Sequence, residues 1–478
     1  MITHTRIIMT KMQLRPYQEK LVNEVRQHFG DGKKRVLMQS PTGSGKTVTF
    51  AHIVTSAVAK GKKVLVMAHR QELILQAHKT LWKYGVKAGV IMAGYDADPR
   101  ASVQVASVQS LIRRLDQYKH FDLIVTDECH HATSATYLKI FANYPKAFVL
   151  GVTATPCRID GKGLGDLFEV LVHGEQVQNL IDMGNLVLPK YITTPSPFNL
   201  EGIKITGGDY NKRQLSKAVI DAQIQGDLVN HWLEFAEGLQ TIVFAVDCEH
   251  SRQIVNQYRQ SGIKAEHIDA NTPFAERSDI IKQFAAKKIQ ILSNVSIFTE
   301  GFDLPEIACV QIARPTKSLS LYFQMVGRAL RPIEGKTEAI ILDHAGVYHE
   351  LGSVADPKIW ELRETKPKEK RFRDAEQEER ERNQIKFDVD TKLIMISEHT
   401  PSWIRFLNNL LIQYKEKGYQ KGWVVFKFKE KYPDLTLKQY KTLARALDYH
   451  NKWAERQFYD LNARKHSEVT LRTHYGTE

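Results

Sequence analysis

An α/β fold of two consecutive parallel-sheet domains, followed by a small helical C-terminal module, is what the sequence predicts. Three observations carry this expectation. Short β-branched runs with little polar alternation recur between helical stretches, as strands buried on both faces and joined by crossover helices do. The same theme returns after a polar, glycine-bearing stretch from Pro156 to Gly208. Past Arg363 the composition turns to charge without an apolar stripe, and helical spacing follows.

The 478 residues leave room for roughly three domains of about 150 each. The expected division is 1–187, 188–362 and 363–478, with the two lobes joined near Leu188. In the first lobe strands are expected at Val36–Met38, Val64–Met67, Val103–Ala106, Leu123–Thr126 and Phe148–Val152. In the second they are expected at Thr241–Ala245, Ala265–Ile268, Ile289–Ser293, Cys309–Ala313 and Ala339–Leu342. Arg363–Arg382 reads as a solvated linker or exposed helix. In the tail Trp403, Phe406, Leu407, Leu410, Leu411 and Tyr414 fall at helical spacing, and such stripes read as core.

The formal net charge of +13 points to a polyanionic partner such as nucleic acid. Cys129, Cys157, Cys248 and Cys309 are far apart with no Cys-x-x-Cys pair, so neither a zinc site nor a disulfide framework is expected. A reducing cytoplasmic setting follows. No apolar run approaches the ~20 residues of a membrane span, and Met1–Lys11 has no signal-peptide core, so no membrane partner is expected.

One stretch organises the chemistry: Ser40-Pro41-Thr42-Gly43-Ser44-Gly45-Lys46-Thr47, set between the strand Val36–Met38 and a helical run from Val48 to Ala59. Strand, glycine-containing loop, Lys-Thr and helix is the context of a phosphate-binding loop. Backbone N–H groups turn inward on an anion there, and the helix start adds its positive dipole end. Lys46 would reach the β- and γ-phosphates, and the Thr47 hydroxyl would hold Mg²⁺. The strict pattern has glycine five residues before Gly45, where this chain has Ser40.

A second apolar strand ends in two carboxylates, Asp127-Glu128, followed by Cys129-His130. Asp127 would bind Mg²⁺ through water, and Glu128 would orient and deprotonate the attacking water. Phosphoryl transfer needs little else than such positioning and charge neutralisation. A metal reading of His130-His131 is set aside, because adjacent side chains on a strand or helix diverge.

With these residues the chain resembles superfamily-2 helicases of the DEAD/DEAH type over roughly Leu14 to Leu351. Leu14-Arg15-Pro16-Tyr17-Gln18 looks like the adenine-reading element, with Arg15 and Gln18 at the nucleotide. Ala68-His69-Arg70-Gln71-Glu72-Leu73 looks like motif Ia, and Ser107-Val108-Gln109-Ser110-Leu111 like the next strand-contact motif. Asp127-Glu128-Cys129-His130 is similar to motif II in its Asp-Glu-x-His form, and Thr153-Ala154-Thr155-Pro156 to motif III. Thr299-Glu300-Gly301-Phe302-Asp303 resembles motif V, and Gln324-Met325-Val326-Gly327-Arg328-Ala329-Leu330-Arg331 motif VI. A narrower resemblance is to the RadD-like and XPB-like branch, which includes phage-encoded helicases. It rests on Asp343-His344-Ala345-Gly346 and on Gly418-Tyr419-Gln420-Lys421-Gly422-Trp423, although the zinc-binding cysteines of RadD are missing.

The resemblance implies two RecA-like domains with one nucleotide in the cleft between them. Thr42, Gly43, Ser44, Gly45, Lys46 and Thr47 would bind ATP from the first lobe, and Gly301 and Asp303 from the second. Gln324, Arg328 and Arg331 would complete catalysis across the cleft, the arginines stabilising charge on the γ-phosphate. Arg70, Ser107, Gln109, Thr299 and Gly301 would hold the nucleic-acid backbone. In the tail, 24 Lys and Arg stand against 17 Asp and Glu from Thr365 to Glu478, and Trp403, Tyr419, Trp423 and Trp453 lie among them. That pattern suits an accessory nucleic-acid module with Lys421, Lys427 and Lys429 on phosphates. The expected activity is ATP-dependent translocation along one strand, 3′ to 5′, with DNA favoured over RNA. The rival readings are a nucleotide-gated clamp or nucleoprotein remodeller, the translocating subunit of a restriction complex whose nuclease is another chain, and an RNA helicase.

Overall fold

The structure, a computed structural model, describes residues 13–157, 163–194, 200, 202–206, 208–211, 213–216, 228–298, 304–362, 394–395 and 425. The chain separates into two compact units, Met1–Ile396 and Ser397–Glu478. The first holds every element considered below.

Seven parallel strands form the first sheet: β1 (Arg35–Gln39), β2 (Val64–Ala68), β3 (Ala88–Ile91), β4 (Val103–Ser107), β5 (Leu123–Asp127), β6 (Phe148–Thr153) and β7 (Val170–Val172). Their order is β3-β4-β2-β5-β6-β1-β7. Successive side chains serve opposite faces, as the two-residue strand period demands. Val36 and Met38 enter one apolar cluster and Leu37 the other; Leu123 and Val125 are likewise separated from Ile124. Both faces are covered, so β2, β4 and β5 are buried at every position. This is why the strands read as continuous apolar runs.

The second sheet also has seven strands, in the order β12-β13-β11-β14-β15-β8-β16. They are β8 (Leu188–Thr193), β11 (Thr241–Phe244), β12 (Ala265–Ile268), β13 (Ile291–Asn294), β14 (Cys309–Ile312), β15 (Glu338–Asp343) and β16 (Ile394–Met395). A small antiparallel pair, β9 (Ile205–Thr206) and β10 (Asp209–Tyr210), stands apart. Here Ile242 and Phe244 face one cluster and Val243 the other. Val177, Leu180, Leu186 and Val187 pack into the first of these clusters, and so does Tyr17 from the opening helix.

All ten expected strands are present within a few residues of their expected ends. Four were not expected in the two sheets: β3, β7, β8 and β16. β8 carries Pro189 at its second position, which disguises it, yet it pairs in parallel with β15 from Glu338↔Leu188 to Asp343↔Thr193. β16 pairs antiparallel with β8, so two residues of the stretch expected as linker and helical module form an edge strand instead. Apart from Val425, the rest of the expected tail module, with Lys421, Lys427 and Lys429, lies outside the described residues. Among the described residues no helix is long and apolar enough to cross a membrane.

The strand order positions the chemistry. β1 lies beside β6 (Gln39↔Thr153), and β6 beside β5 (Asp127↔Val152). The segments leaving the carboxyl ends of these three neighbours therefore emerge side by side, where open α/β sheets bind ligands.

Candidate active site

The glycine-containing loop leaves β1 at its carboxyl end. The Ser40 N–H donates to the Thr153 carbonyl at 2.9 Å, continuing the β1–β6 ladder into the loop. At this departure from glycine the side chain has work: Ser40 Oγ lies 2.6 Å from Ser44 Oγ, which also contacts the Pro41 carbonyl at 2.7 Å. The two serines tie the loop across itself. Gly45 adopts φ +83°, a left-handed conformation that costs a residue with a Cβ, and it caps helix α2 (Lys46–Ala59). The first N–H groups of α2 have no partner in their own helix and carry the positive end of its dipole.

Lys46 Nζ donates to Glu128 Oε1 at 2.9 Å, the two side chains being only 13% and 6% exposed. Thr47 follows on the same helix start and is half-buried, whereas Thr42 is buried. Glu128 itself has φ +48° and ψ +50°, an uncommon conformation for a residue with a side chain. Its N–H donates to Asp127 Oδ1 at 3.0 Å. Its second oxygen lies 3.4 Å from His130 Nδ1, and that ring nitrogen is 3.2 Å from Thr153 Oγ1. The end of β5 is thus linked to the end of β6. Burial first, and then the charges of Glu128 and Asp127, push the Cys129 thiol well above its ordinary range. It serves as a neutral core residue.

The expectation that His130 and His131 diverge does not hold. They sit on a short 3-10 turn, not on a strand or α-helix, and their ring centroids are 4.2 Å apart. His131 also packs edge-on against His69 at 4.4 Å.

The second lobe closes on this loop. Thr155 Oγ1 lies 2.7 Å from Ser320 Oγ on the helix Leu319–Val326. Gln324 and Arg328 are buried at the end of that helix. A Cβ on Gly327 would stand 2.5 Å from Thr42 Cβ, so the backbone after Val326 rests directly on the loop. A Cβ on Gly43 would stand 3.6 Å from Arg331 Cγ. The Lys336 ammonium donates to the carbonyls of Arg331 (2.9 Å), Pro305 (3.1 Å) and Ile307. Burial, with the Arg331 charge beside it, lowers that lysine to about 8.

Gln18 and Arg15 open helix α1 (Pro16–Gly30), which has proline at its first position. Gln18 Oε1 accepts from the Arg15 N–H at 3.0 Å, and its Nε2 donates to the Ser44 carbonyl at 3.1 Å. Nε2 also reaches the Gly45 carbonyl at 3.5 Å, while Oε1 keeps a second lone pair. Arg15 is exposed and reaches the Tyr17 hydroxyl at 3.3 Å, and Tyr17 donates to the Ser44 carbonyl at 2.8 Å.

The residues expected on a nucleic-acid backbone are arranged differently from one another. Arg70 donates to the carbonyls of Ser296 (2.8 Å) and Ile297 (3.0 Å), bridging the lobes just upstream of motif V. Ser107 donates to Gln109 Oε1 at 2.8 Å, at the start of a short helix after β4. Thr299, Gly301 and Asp303 lie outside the described residues.

Several contributors escaped the sequence reading. The Tyr17 hydroxyl and the Ser320 hydroxyl carry no local signature. Arg277 pairs with Glu72 across the lobes at 2.7 Å, and it lies in the first turn of the helix Phe274–Ala285. A cation near a helix N-terminus opposes the dipole, which is the one signal that could have marked it.

Residues 11–158 match the family described as "Type III restriction enzyme, res subunit", and residues 224–332 the "Helicase conserved C-terminal domain". A 51.5 kDa protein of a Lactococcus phage (isolate 7-9) is 35% identical over 316 residues, 66% of this chain and 67% of that one. A Schizosaccharomyces pombe protein named as a candidate mitochondrial ATP-dependent helicase, irc3, is 34% identical over 365 residues. The match covers 73% of this chain and 60% of that one, so the chain spans less than two thirds of the fungal relative. A solved fragment of a candidate HsdR subunit of a type I restriction enzyme from Vibrio vulnificus is similar at TM-score 0.57 and 24% identity. It covers 71% of this chain and 65% of that one, and the likeness is one of fold: two RecA-like α/β domains.

Proposed function

The chain belongs to the superfamily-2 helicases, enzymes that hydrolyse ATP, and from that premise we propose that it is a DNA translocase moving 3′ to 5′ along one strand. The Asp127–His130 box and the RadD-like and XPB-like branch belong to the same proposal. The observation that supports an ATP-driven motor is the apposition of Gly327 and Thr42, which sets motif VI against the phosphate-type loop; the polarity and the preference for DNA rest on the family resemblance alone.

The loop fits a phosphate. Its glycine turn, the start of α2 and Lys46 make a cationic cradle, and the anion it draws in here is the Glu128 carboxylate. Lys46 then exchanges that carboxylate for the β- and γ-phosphates. Thr47, and Asp127 through water, are the residues that would hold Mg²⁺, whose chemistry there is to neutralise phosphate charge. Released from Lys46, Glu128 orients a water and takes its proton. Arg328 and Arg331 stabilise charge on the transferring group from the second lobe. Arg15 and Gln18 face the adenine, Gln18 giving up its long contact to the Gly45 carbonyl to donate there. Gly301 and Asp303 complete the nucleotide contacts, and Arg70, Ser107, Gln109 and Thr299 the backbone contacts to the strand. Arg70 must first leave the carbonyls of Ser296 and Ile297, so strand binding and lobe movement are coupled.

The test is ATP turnover with single-stranded DNA, duplex DNA, forked DNA and RNA in one salt buffer, followed by strand displacement from 3′- and 5′-tailed duplexes. DNA stimulation with displacement from the 3′ tail is the expected result. Stimulation by RNA alone overturns the DNA assignment. A second reading is favoured by the match to a restriction-enzyme subunit family: translocation without unwinding, in service of a nuclease on another chain. Stimulated ATP turnover without displacement, and co-purification of a nuclease, would select it.

A further inference from the structure

Three side chains with metal-ligand chemistry meet at the carboxyl edge of the second sheet. Cys248 opens the helix Cys248–Gln260 that follows β11, His267 lies in β12, and Asp269 comes just after it. No spacing rule joins residues 248 and 267. The sheet does, because β13 pairs with both β11 and β12. One donor atom from each lies within 4.8 Å of the other two.

The surroundings are those of a built ligand set. His267 Nδ1 lies 2.7 Å from Ser251 Oγ, which in turn lies 2.6 Å from Ser293 Oγ. Ser251 at Nδ1 and Asp269 at Nε2 fix the ring from both sides; with the ring proton moved to Nδ1 and given to Ser251, Nε2 is free to ligate, the way a ligating histidine is held. That Nε2 is buried and lies 3.2 Å from Asp269 Oδ2, within hydrogen-bond reach of it. The other carboxylate oxygen is occupied, accepting from the N–H groups of Asn271 (2.8 Å) and Thr272 (3.0 Å). Oδ2 is thereby left toward Cys248 and His267. Arg252 approaches the same oxygen at 3.5 Å, but its side chain is 62% exposed and can withdraw.

We propose that Cys248, His267 and Asp269 bind one divalent ion of the zinc class, with a fourth position open to water. Sulfur, imidazole and carboxylate together select a borderline-soft ion over Mg²⁺ or Ca²⁺, which take oxygen ligands. Tetrahedral zinc holds such atoms about 3.3–3.6 Å apart, so closing the widest pair needs a shift of roughly 1 Å. Binding forms the sulfur–metal bond as the Cys248 proton leaves for solvent. The site lies outside the ATP machinery and stands whether or not the chain translocates. It has a structural reach, because the Asp269 and Thr272 carbonyls accept from Arg277 (3.4 and 3.1 Å), which pairs with Glu72 of the first lobe. An ion on Asp269 steadies the turn that presents this arginine.

The probe is Co²⁺, titrated into the full-length protein after chelator treatment and followed by thiolate-to-cobalt charge-transfer absorption. The proposal expects a band that saturates at one equivalent, is bleached by Zn²⁺, and is indifferent to Mg²⁺. Cys248→Ser should abolish it, His267→Gln should weaken Co²⁺ binding at least tenfold, and Cys157→Ser should leave it unchanged. Circular dichroism establishes that each variant is folded. Absence of the band in folded wild-type protein overturns the proposal, and so does its persistence in Cys248→Ser. Should Cys248→Ser fail to fold, the wild-type and Cys157→Ser titrations still decide.

Discussion

Glu128 is held by two things at once, a left-handed backbone and the ammonium of Lys46. Removing the cation leaves a buried carboxylate without its strongest partner. Lys46→Ala should therefore weaken nucleotide binding and also lower stability without nucleotide, by roughly 1–3 kcal/mol. Glu128→Gln keeps the shape but cannot take a proton, so nucleotide binding should persist while turnover falls about 10²–10⁴-fold. Equilibrium nucleotide titration, thermal melting and steady-state ATP turnover separate these effects; near-normal turnover in Glu128→Gln would remove it from the base role. That Lys46 and Glu128 belong to one site was legible because phosphate chemistry allows few alternatives to glycine, lysine and paired carboxylates, and the two side chains do meet. What Arg70 touches was not legible, since its partners are backbone carbonyls that any residue could supply.

The helix Leu319–Val326 reaches the loop through a glycine, and the absent side chain is the reason the approach is possible. Gly327→Val should wedge the helix end off Thr42 and cut ATP turnover at least tenfold, while the first lobe still binds nucleotide. Arg328→Ala and Arg331→Ala should likewise spare affinity and slow turnover, since such arginines are worth about 10³–10⁵ in favourable systems. If neither arginine slows turnover even tenfold, the cross-lobe catalytic arrangement is wrong. The central strands were readable because burial on both faces leaves nothing to alternate. β8 and β16 were not: one contains proline, and the other is two residues long and made by pairing alone. The contact of Thr155 with Ser320 was invisible for another reason, because small hydroxyls 165 residues apart leave no periodic trace.

At the scale of the whole molecule, two buried imidazoles make the fold less stable in acid. Burial lowers His250 to about 4, even against the raising charge of Asp247, and its Nδ1 accepts from the Val246 N–H. Burial and the neighbouring His231 lower His344 as well. Between pH 6.5 and 4 the unfolded chain takes up protons that His250 in the native protein refuses, so stability falls as pH falls through this window. The His250 share is about 3 kcal/mol in full. Denaturant unfolding from pH 7 to pH 4 should show that decline, and His250→Gln should flatten it; an equal slope in the variant excludes His250 as its source. The tail is best cut after Ile396, because β16 belongs to the second sheet. Removing 397–478, with Lys421, Lys427 and Lys429, should weaken DNA binding and flatten its salt dependence as fewer counterions are released. An unchanged slope would assign the tail to another role. The two-lobe plan was legible in the sequence from its repeated pattern, but the attachment of Tyr17 was not. Its hydroxyl grips the Ser44 carbonyl, and its ring belongs to the apolar cluster of the second sheet. Anyone dividing this gene into separately expressed halves would sever that tie between the opening helix and the core of the second sheet. The amino-terminal half would carry an aromatic ring stripped of its packing, and re-association of the halves, driven by that ring and by Leu186, would be the natural behaviour of the pair.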